Sequence, residues 1–168
     1  MKESEVLKKI EEMGRKLPRF KDGRIDYSDT DYAPVIMAFV EYRGKILLLK
    51  RSDKVRTYKG KWNGVGGYLD EVRPIREKIL EELREELGVG EEMISAIYIG
   101  EAQEETDAGI GKVWLVAPAL VKLKRAPQIK LDWEHTEYKW VYPEEIKGYD
   151  TVSGLESTLS AALTAASK

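Results

Sequence analysis

The succession of segments along this chain predicts a mixed α/β fold. Three observations point there. Two β-rich runs joined by a tight turn come first, and a sharply patterned helix follows them. Further strand-like runs then lead into a closing Ala- and Leu-rich helix. Regular strand–helix alternation, the mark of a parallel sheet, is not seen. A chain of 168 residues can bury one substantial core.

Taken in order, Ser4 to Leu17 places Val6, Leu7, Ile10, Met13 and Leu17 at helical spacing, with Ser4 as the expected N-cap and Pro18 ending the run. Arg19 to Asp31 is polar and turn-rich. It reads as a linker, giving an N-terminal unit of residues 1–31 ahead of a main domain of residues 32–168. Ala33 to Tyr42 and Lys45 to Arg51 form an expected hairpin across Arg43-Gly44. Ser52 to Lys61 is a charged loop, and Trp62 to Leu69 carries Gly64, Gly66 and Gly67. Pro74 to Leu87 is the clearest helix, with proline at its start and Gly88 where a C-terminal cap belongs. Ile94 to Gln103 and Lys112 to Lys122 read as strands around a loop from Glu104 to Gly111. Lys124 to Trp133 is a loop and Tyr138 to Tyr142 a short strand. One helical turn over Pro143 to Ile146 and a helix over Thr151 to Ala166 complete the chain.

Composition narrows the chemistry. Lys plus Arg is 28 against 30 for Asp plus Glu, a net charge of −2, which argues against sequence-blind nucleic-acid binding. With no cysteine, thiol catalysis, zinc–thiolate sites and disulfides are excluded. A single histidine, His135, excludes any site built on two imidazoles, and a lone loop histidine is more often a surface residue or a hydrogen-bond partner than a base. The longest apolar runs, Ala33 to Val40 and Val113 to Val121, are strand-sized, too short for a membrane span. The charged first turns do not read as a signal peptide. A cytoplasmic protein is the default expectation.

The Pro74–Leu87 helix carries Glu77, Glu81, Glu82, Glu85 and Glu86. At about 100° per residue, Glu82, Glu85 and Glu86 share an arc of roughly 100°, while Ile79, Leu80, Leu83 and Leu87 face another sector. Glutamates on a helix are ordinarily a solvated face. Here Glu77/Glu81, Glu81/Glu85 and Glu82/Glu86 are like-charged i,i+4 pairs, each unfavourable by about 0.2–0.5 kcal/mol in isolation. A hard divalent cation would turn that repulsion into a ligand set.

The string GYLDEVRPIREKILEELREELGV, Gly67 to Val89, resembles the Nudix box. That pattern runs glycine, five residues, Glu, seven residues, Arg-Glu, aliphatic, any, Glu-Glu, any, Gly, aliphatic. Gly67, Glu82, Leu83, Glu85, Glu86, Gly88 and Val89 match. Arg73 stands where the family has Glu, and Glu81 where it has Arg, a reciprocal exchange of charge. The preceding Lys61 to Gly67 and the later Trp140 to Glu145 are also similar to family strands, so the resemblance covers about Ala33 to Ile146.

The resemblance implies a Nudix-type α/β/α sandwich with a mixed sheet, here with an added N-terminal helix. It also implies metal-dependent hydrolysis of a nucleoside diphosphate linked to another moiety. By position, Glu82, Glu85 and Glu86 would hold Mg²⁺ (or Mn²⁺), with Glu82 and Glu85 also counted as catalytic. Gly66 and Gly67 would bring backbone close to substrate. The exchanged Arg73 and Glu81 are expected to contact one another and brace the loop.

The resemblance further implies a general base, or another metal ligand, from a loop outside the box. Glu134 is favoured, with Glu105 and Glu137 behind it. One of Lys50 and Arg51 should reach phosphate, since side chains alternate along a strand, and Arg51 offers bidentate contacts. Trp62 is expected in the core. A non-catalytic nucleotide- or partner-binding module is the alternative function. An isoprenoid-diphosphate isomerase is set aside for want of cysteine, and RNA decapping is disfavoured by the absence of a basic stretch. The partner implied by the resemblance is a small-molecule nucleotide derivative, with ADP-ribose, a dinucleoside polyphosphate and an oxidised nucleoside triphosphate all open. The N-terminal helix's apolar stripe leaves three uses open: packing on the domain, contact with a second subunit in a homodimer, or a mobile helix.

Overall fold

A computed structural model describes residues 1–168. One mixed sheet lies between helices, as the sequence predicts. Helix α1 (Glu3–Lys16) precedes strands β1 (Tyr32–Tyr42), β2 (Lys45–Arg51), β3 (Trp62–Asn63) and β4 (Val65–Tyr68). Helix α2 (Ile75–Leu87) leads to β5 (Ile94–Ile99), β6 (Gln103–Asp107), β7 (Lys112–Leu123) and β8 (His135–Val141), and α3 (Leu155–Ser167) closes the chain. No helix is long and apolar enough to cross a membrane.

The β1–β2 hairpin turns at Arg43 and Gly44, whose φ angles of 52° and 80° are both positive. That is the backbone a two-residue turn needs to match strand twist. Beyond the turn β1 exchanges partners. It pairs antiparallel with β2 only at Glu41–Tyr42, then with β4 over Val35–Ala38. Its other edge runs parallel to β7 over ten residue pairs, from Tyr32↔Val113 to Glu41↔Lys122.

Alternation along the strands splits the core into two layers. Leu47 and Leu49 point to one face, where Ile75, Ile79, Leu83 and Leu87 of α2 pack with Val6 and Ile10 of α1. Ile46 and Leu48 point to the other, meeting Leu155, Leu159 and Ala162 of α3. Fully burying each such side chain contributes about 1.5–3 kcal/mol. Ile25 and Tyr27, from the polar stretch after α1, also belong to the α2-side layer.

Four sequence expectations are corrected. Ser4 does not cap α1; the cap position is Lys2, with no side-chain hydrogen bond, and Ser4 sits inside the first turn. The expected strand Ile94–Gln103 is broken at Gly100–Ala102, and part of the expected loop Glu104–Gly111 is strand β6. Pro118 of β7 lies opposite that break. It lacks the N–H that a continuous partner would need, while its carbonyl accepts from the Gly100 N–H at 2.9 Å. Strand β8 begins at His135 rather than Tyr138, extending its pairing with β2 as far as Arg51. Finally, α3 begins only at Leu155, after Gly154 in a left-handed conformation.

Candidate active site

Strand β4, the loop after it and α2 bring the box residues together. Gly67 pairs with Ile36 of β1 and lies against α2. A Cβ there would come within 2.9 Å of the Glu82 side chain, so glycine lets the strand approach the helix carboxylate. Gly66 is under no such constraint, since a Cβ would meet only ordinary contacts. The expected contact between Arg73 and Glu81 is present: an Arg73 Nη2 hydrogen bond to Glu81 Oε2 ties the loop to the helix. Glu81 also pairs with Arg24 at 3.2 Å and Lys78 at 3.4 Å. Burial alone would raise the Glu81 pKa, but Lys78, Arg73 and Arg24 outweigh it and hold the carboxyl below its usual range.

Along α2 the i,i+4 column Lys78, Glu82, Glu86 is buried, whereas Glu85 is exposed. The Lys78 ammonium contacts Glu82 at 3.1 Å and Asp70 at 3.4 Å. Burial works against its charge, but these anions prevail and raise its pKa. Glu86, 2% exposed, is paired with no lysine or arginine, and its near neighbour is the His135 ring, at 3.6 Å. Burial, followed by a hydrogen bond and the charge of Glu82 and then by Glu134 and Asp132, lifts its pKa well above the carboxylate range. Its Oε2 is buried and makes no hydrogen bond.

The ligand-type side chains whose donor atoms all lie within 4.8 Å of one another are Glu86, Glu134 and His135. The helix trio Glu82, Glu85 and Glu86 does not converge in this way. Glu134 is pushed up to about 7, chiefly by burial and then by the negative charges of Asp132 and Glu82. The other base candidates lie elsewhere: Glu105 accepts from Ser153 Oγ at 3.3 Å, and Glu137 pairs with Lys50 at 3.5 Å. Of the two ordinary roles expected for His135, it takes the hydrogen-bonding one rather than the surface one, being 5% exposed with Nδ1 3.3 Å from Asp132 Oδ1. A register shift between Lys50 and Arg51 sets Arg51 opposite His135 and Lys50 opposite Glu137, the kind of irregularity that re-aims side chains.

Glu86 and Glu134 stand on the wall of a cavity of about 180 Å³. Arg51, Gly66 and Gly67 line it too, as do Tyr58, Tyr68 and Trp114. Arg51 is therefore the inward member of its strand pair. Its Nε donates to the Thr57 carbonyl at 2.9 Å, anchoring the 52–61 loop. Burial depresses its pKa, and Glu134 and Glu86 oppose that. The Tyr58 hydroxyl donates to Asp107 at 2.6 Å and accepts from Trp114 Nε1 at 3.1 Å. Tyr68 lies against Trp114, with ring centroids 6.3 Å apart, and stacks on Tyr27 at 5.6 Å. Trp62 is in the α3-side core, as expected. An acidic end, one guanidinium and an aromatic wall are chemically suited to a cation, a phosphate and a flat ring.

A family profile for the NUDIX domain matches residues 31–159. The chain is 24% identical over 130 residues to the nucleoside triphosphatase NudI of Escherichia coli strain E24377A, covering 74% of this chain and 92% of that one. A crystal structure of a MutT protein from Methanosarcina mazei superposes with a TM-score of 0.61 at 26% identity, over 79% of this chain and 93% of the other. A bifunctional NMN adenylyltransferase/ADP-ribose pyrophosphatase from Francisella tularensis gives a TM-score of 0.68 at 19% identity, over 96% of this chain and 46% of the other. The box pattern, the sheet between helices and the profile match across most of the sequence agree: the chain belongs to the NUDIX domain family.

Proposed function

We propose that this chain is a metal-dependent pyrophosphohydrolase acting on a nucleoside diphosphate linked to another moiety. The observation that carries the reading is Glu86. It carries a buried oxygen without a partner and stands beside Glu134 in a cavity that also holds Arg51 and the glycine strand. A buried carboxylate is unfavourable unless something compensates it, and a divalent cation supplies that. Carboxylate oxygens suit such an ion: Glu86 would hold it, with Glu82 and the exposed Glu85 as the further carboxylates of the box. Such an ion, Mg²⁺ or Mn²⁺, neutralises phosphate charge and favours ionisation of water when bound.

The chain's own groups do the rest. Arg51 pairs with phosphate oxygens, and Gly66–Gly67 let the diphosphate approach the backbone. Tyr68 and Trp114 present ring faces to the base. Glu134 accepts the proton of the attacking water, and the products are a nucleoside monophosphate and a second phosphorylated fragment. Support also comes from the relative named a nucleoside triphosphatase. The alternative, a module that binds nucleotide without turnover, draws on the Lys78–Glu82 contact at 3.1 Å, which engages one box carboxylate internally.

A panel of nucleotide diphosphate derivatives, dinucleoside polyphosphates and nucleoside triphosphates, assayed with Mg²⁺ or Mn²⁺, tests the reading. Turnover that Glu86→Gln lowers by at least about 100-fold is expected, the scale on which losing one key electrostatic group reduces kcat. Nucleotide binding with no turnover in the wild type would favour the module.

A further inference from the structure

The sole histidine of the chain is packed where a surface loop residue has no reason to be. Its side chain is 1% exposed, and its neighbour Glu86 is 2% exposed. The turn that delivers it is organised by Asp132, whose Oδ1 accepts the Glu134 backbone N–H at 3.1 Å and faces His135 Nδ1 at 3.3 Å. A carboxylate only accepts, so Nδ1 carries the hydrogen and Nε2 is left with its lone pair. That lone pair points at a second acceptor: Nε2 lies 3.6 Å from Glu86 Oε1 and makes no hydrogen bond. Glu86 Oε2 is also without a partner. Without a proton or a cation between them, two buried acceptors facing one another repel, and a bound ion satisfies both at once.

The spacing suits a shared ion. Two donors each about 2.1 Å from one metal are roughly 3.4 Å apart in a tetrahedral arrangement. The sequence Asp132–His135–ion matches the carboxylate–histidine arrangement that fixes the tautomer and orientation of metal-bound imidazoles. We infer that His135 Nε2 is a direct ligand of the ion held by Glu86, so that the site selects a nitrogen-accepting transition ion over Mg²⁺. Imidazole favours ions such as Co²⁺ and Zn²⁺, whereas Mg²⁺ takes oxygen. The inference rests on the metal-binding reading above and adds to it the nitrogen ligand and the class of ion; Glu134 keeps its role toward water.

Two measurements on the full chain test it. Pulsed electron paramagnetic resonance of the protein loaded with Mn²⁺ alone should show coupling to one imidazole nitrogen. Calorimetry with CoCl₂ and with MgCl₂ should show that His135→Gln lowers Co²⁺ affinity by about 10- to 100-fold while changing Mg²⁺ affinity by less than about threefold. Asp132→Asn should keep the nitrogen coupling and weaken Co²⁺ about tenfold, on the scale seen when outer partners of metal-bound histidines are removed. Divalent binding by the wild type without nitrogen coupling would overturn the histidine ligand and leave the metal reading standing. No uptake of any of these ions, even with inorganic pyrophosphate present, would overturn both. The spectrum of the wild type decides the ligand question even if a variant fails to fold.

Discussion

Exchanging Arg73 and Glu81, so that glutamate occupies 73 and arginine 81, restores the order of charges found in the Nudix box. In this chain it should destabilise. Glu81 is held by Arg73, by Arg24 at 3.2 Å and by Lys78 at 3.4 Å. An arginine at 81 keeps the attraction to residue 73 and gains weak i,i+4 attractions to Glu77 and Glu85, each about 0.2–0.5 kcal/mol, but turns the two closer contacts, with Arg24 and Lys78, into repulsions. A glutamate at 73 also faces Glu71, which now lies 3.6 Å from Arg73. Near a protein surface, unit charges 4 Å apart interact by about 4 kcal/mol at an effective dielectric constant of about 20. Arg24 is 34% exposed and can swing into water, whereas Lys78, at 4%, cannot. Discounted for that freedom, the double variant R73E/E81R should lose about 2–4 kcal/mol relative to wild type, or about 5–15 °C in Tm for a chain of this size. The neutral pair R73Q/E81Q should lie between the two. Urea unfolding and thermal melts at neutral pH measure it, and a double variant as stable as the wild type would refute the argument. The wild-type advantage also has a sign in pH. Because the Glu81 pKa is depressed, its contribution is complete above the ordinary carboxylate pKa and is lost as pH falls through the folded value.

Three further outcomes follow from the site. Glu134, at about 7, is largely protonated in the metal-free protein at pH 6, and burial shifts Glu86 in the same direction. Metal uptake should therefore release protons at pH 6 and fewer at pH 8, a difference read from calorimetry in buffers of different ionisation enthalpy; equal release at both would contradict it. Gly67→Ala should move the Glu82 side chain, which lies 2.9 Å from the added Cβ, and lower kcat by about 10- to 100-fold. Because a flexible side chain yields, Tm should change by only a few degrees, and unchanged kcat would remove the glycine from the argument. Tyr68→Ala should raise KM by about 2- to 10-fold with little change in kcat, the scale of one lost aromatic contact, and an unaltered KM would exclude this wall from substrate binding.

Much of this architecture is legible in the residues because it rests on local patterns. The α2 stripe, its Gly88 terminus, the Arg43-Gly44 turn and the alternation of Ile46 to Leu49 are each written within a few positions. Strand β6 escapes notice because Gln103-Glu-Glu-Thr-Asp107 pairs only with β7 and is largely exposed, so no apolar alternation marks it. The site is less legible than the box. Spacing correctly places Glu82 and Glu86 on one side of a helix, but it cannot tell that Lys78 occupies Glu82 or that Glu85 faces outward. Nothing near His135 announces its burial. Its place depends on the Asp132 turn and on the register shift at Arg51, two features that exist only once β2 and β8 have paired.

The parallel pairing of β1 with β7 governs how this protein must be made. During synthesis the apolar strand Tyr32–Tyr42 leaves the ribosome long before Lys112–Leu123, the neighbour that covers one of its edges along ten positions. Until then the hairpin presents an open, sticky border, and closing so distant a contact is slow. Expression at lower temperature, or with abundant chaperones, should therefore improve recovery of native material. Fragments that stop short of β7 should collect in inclusion bodies.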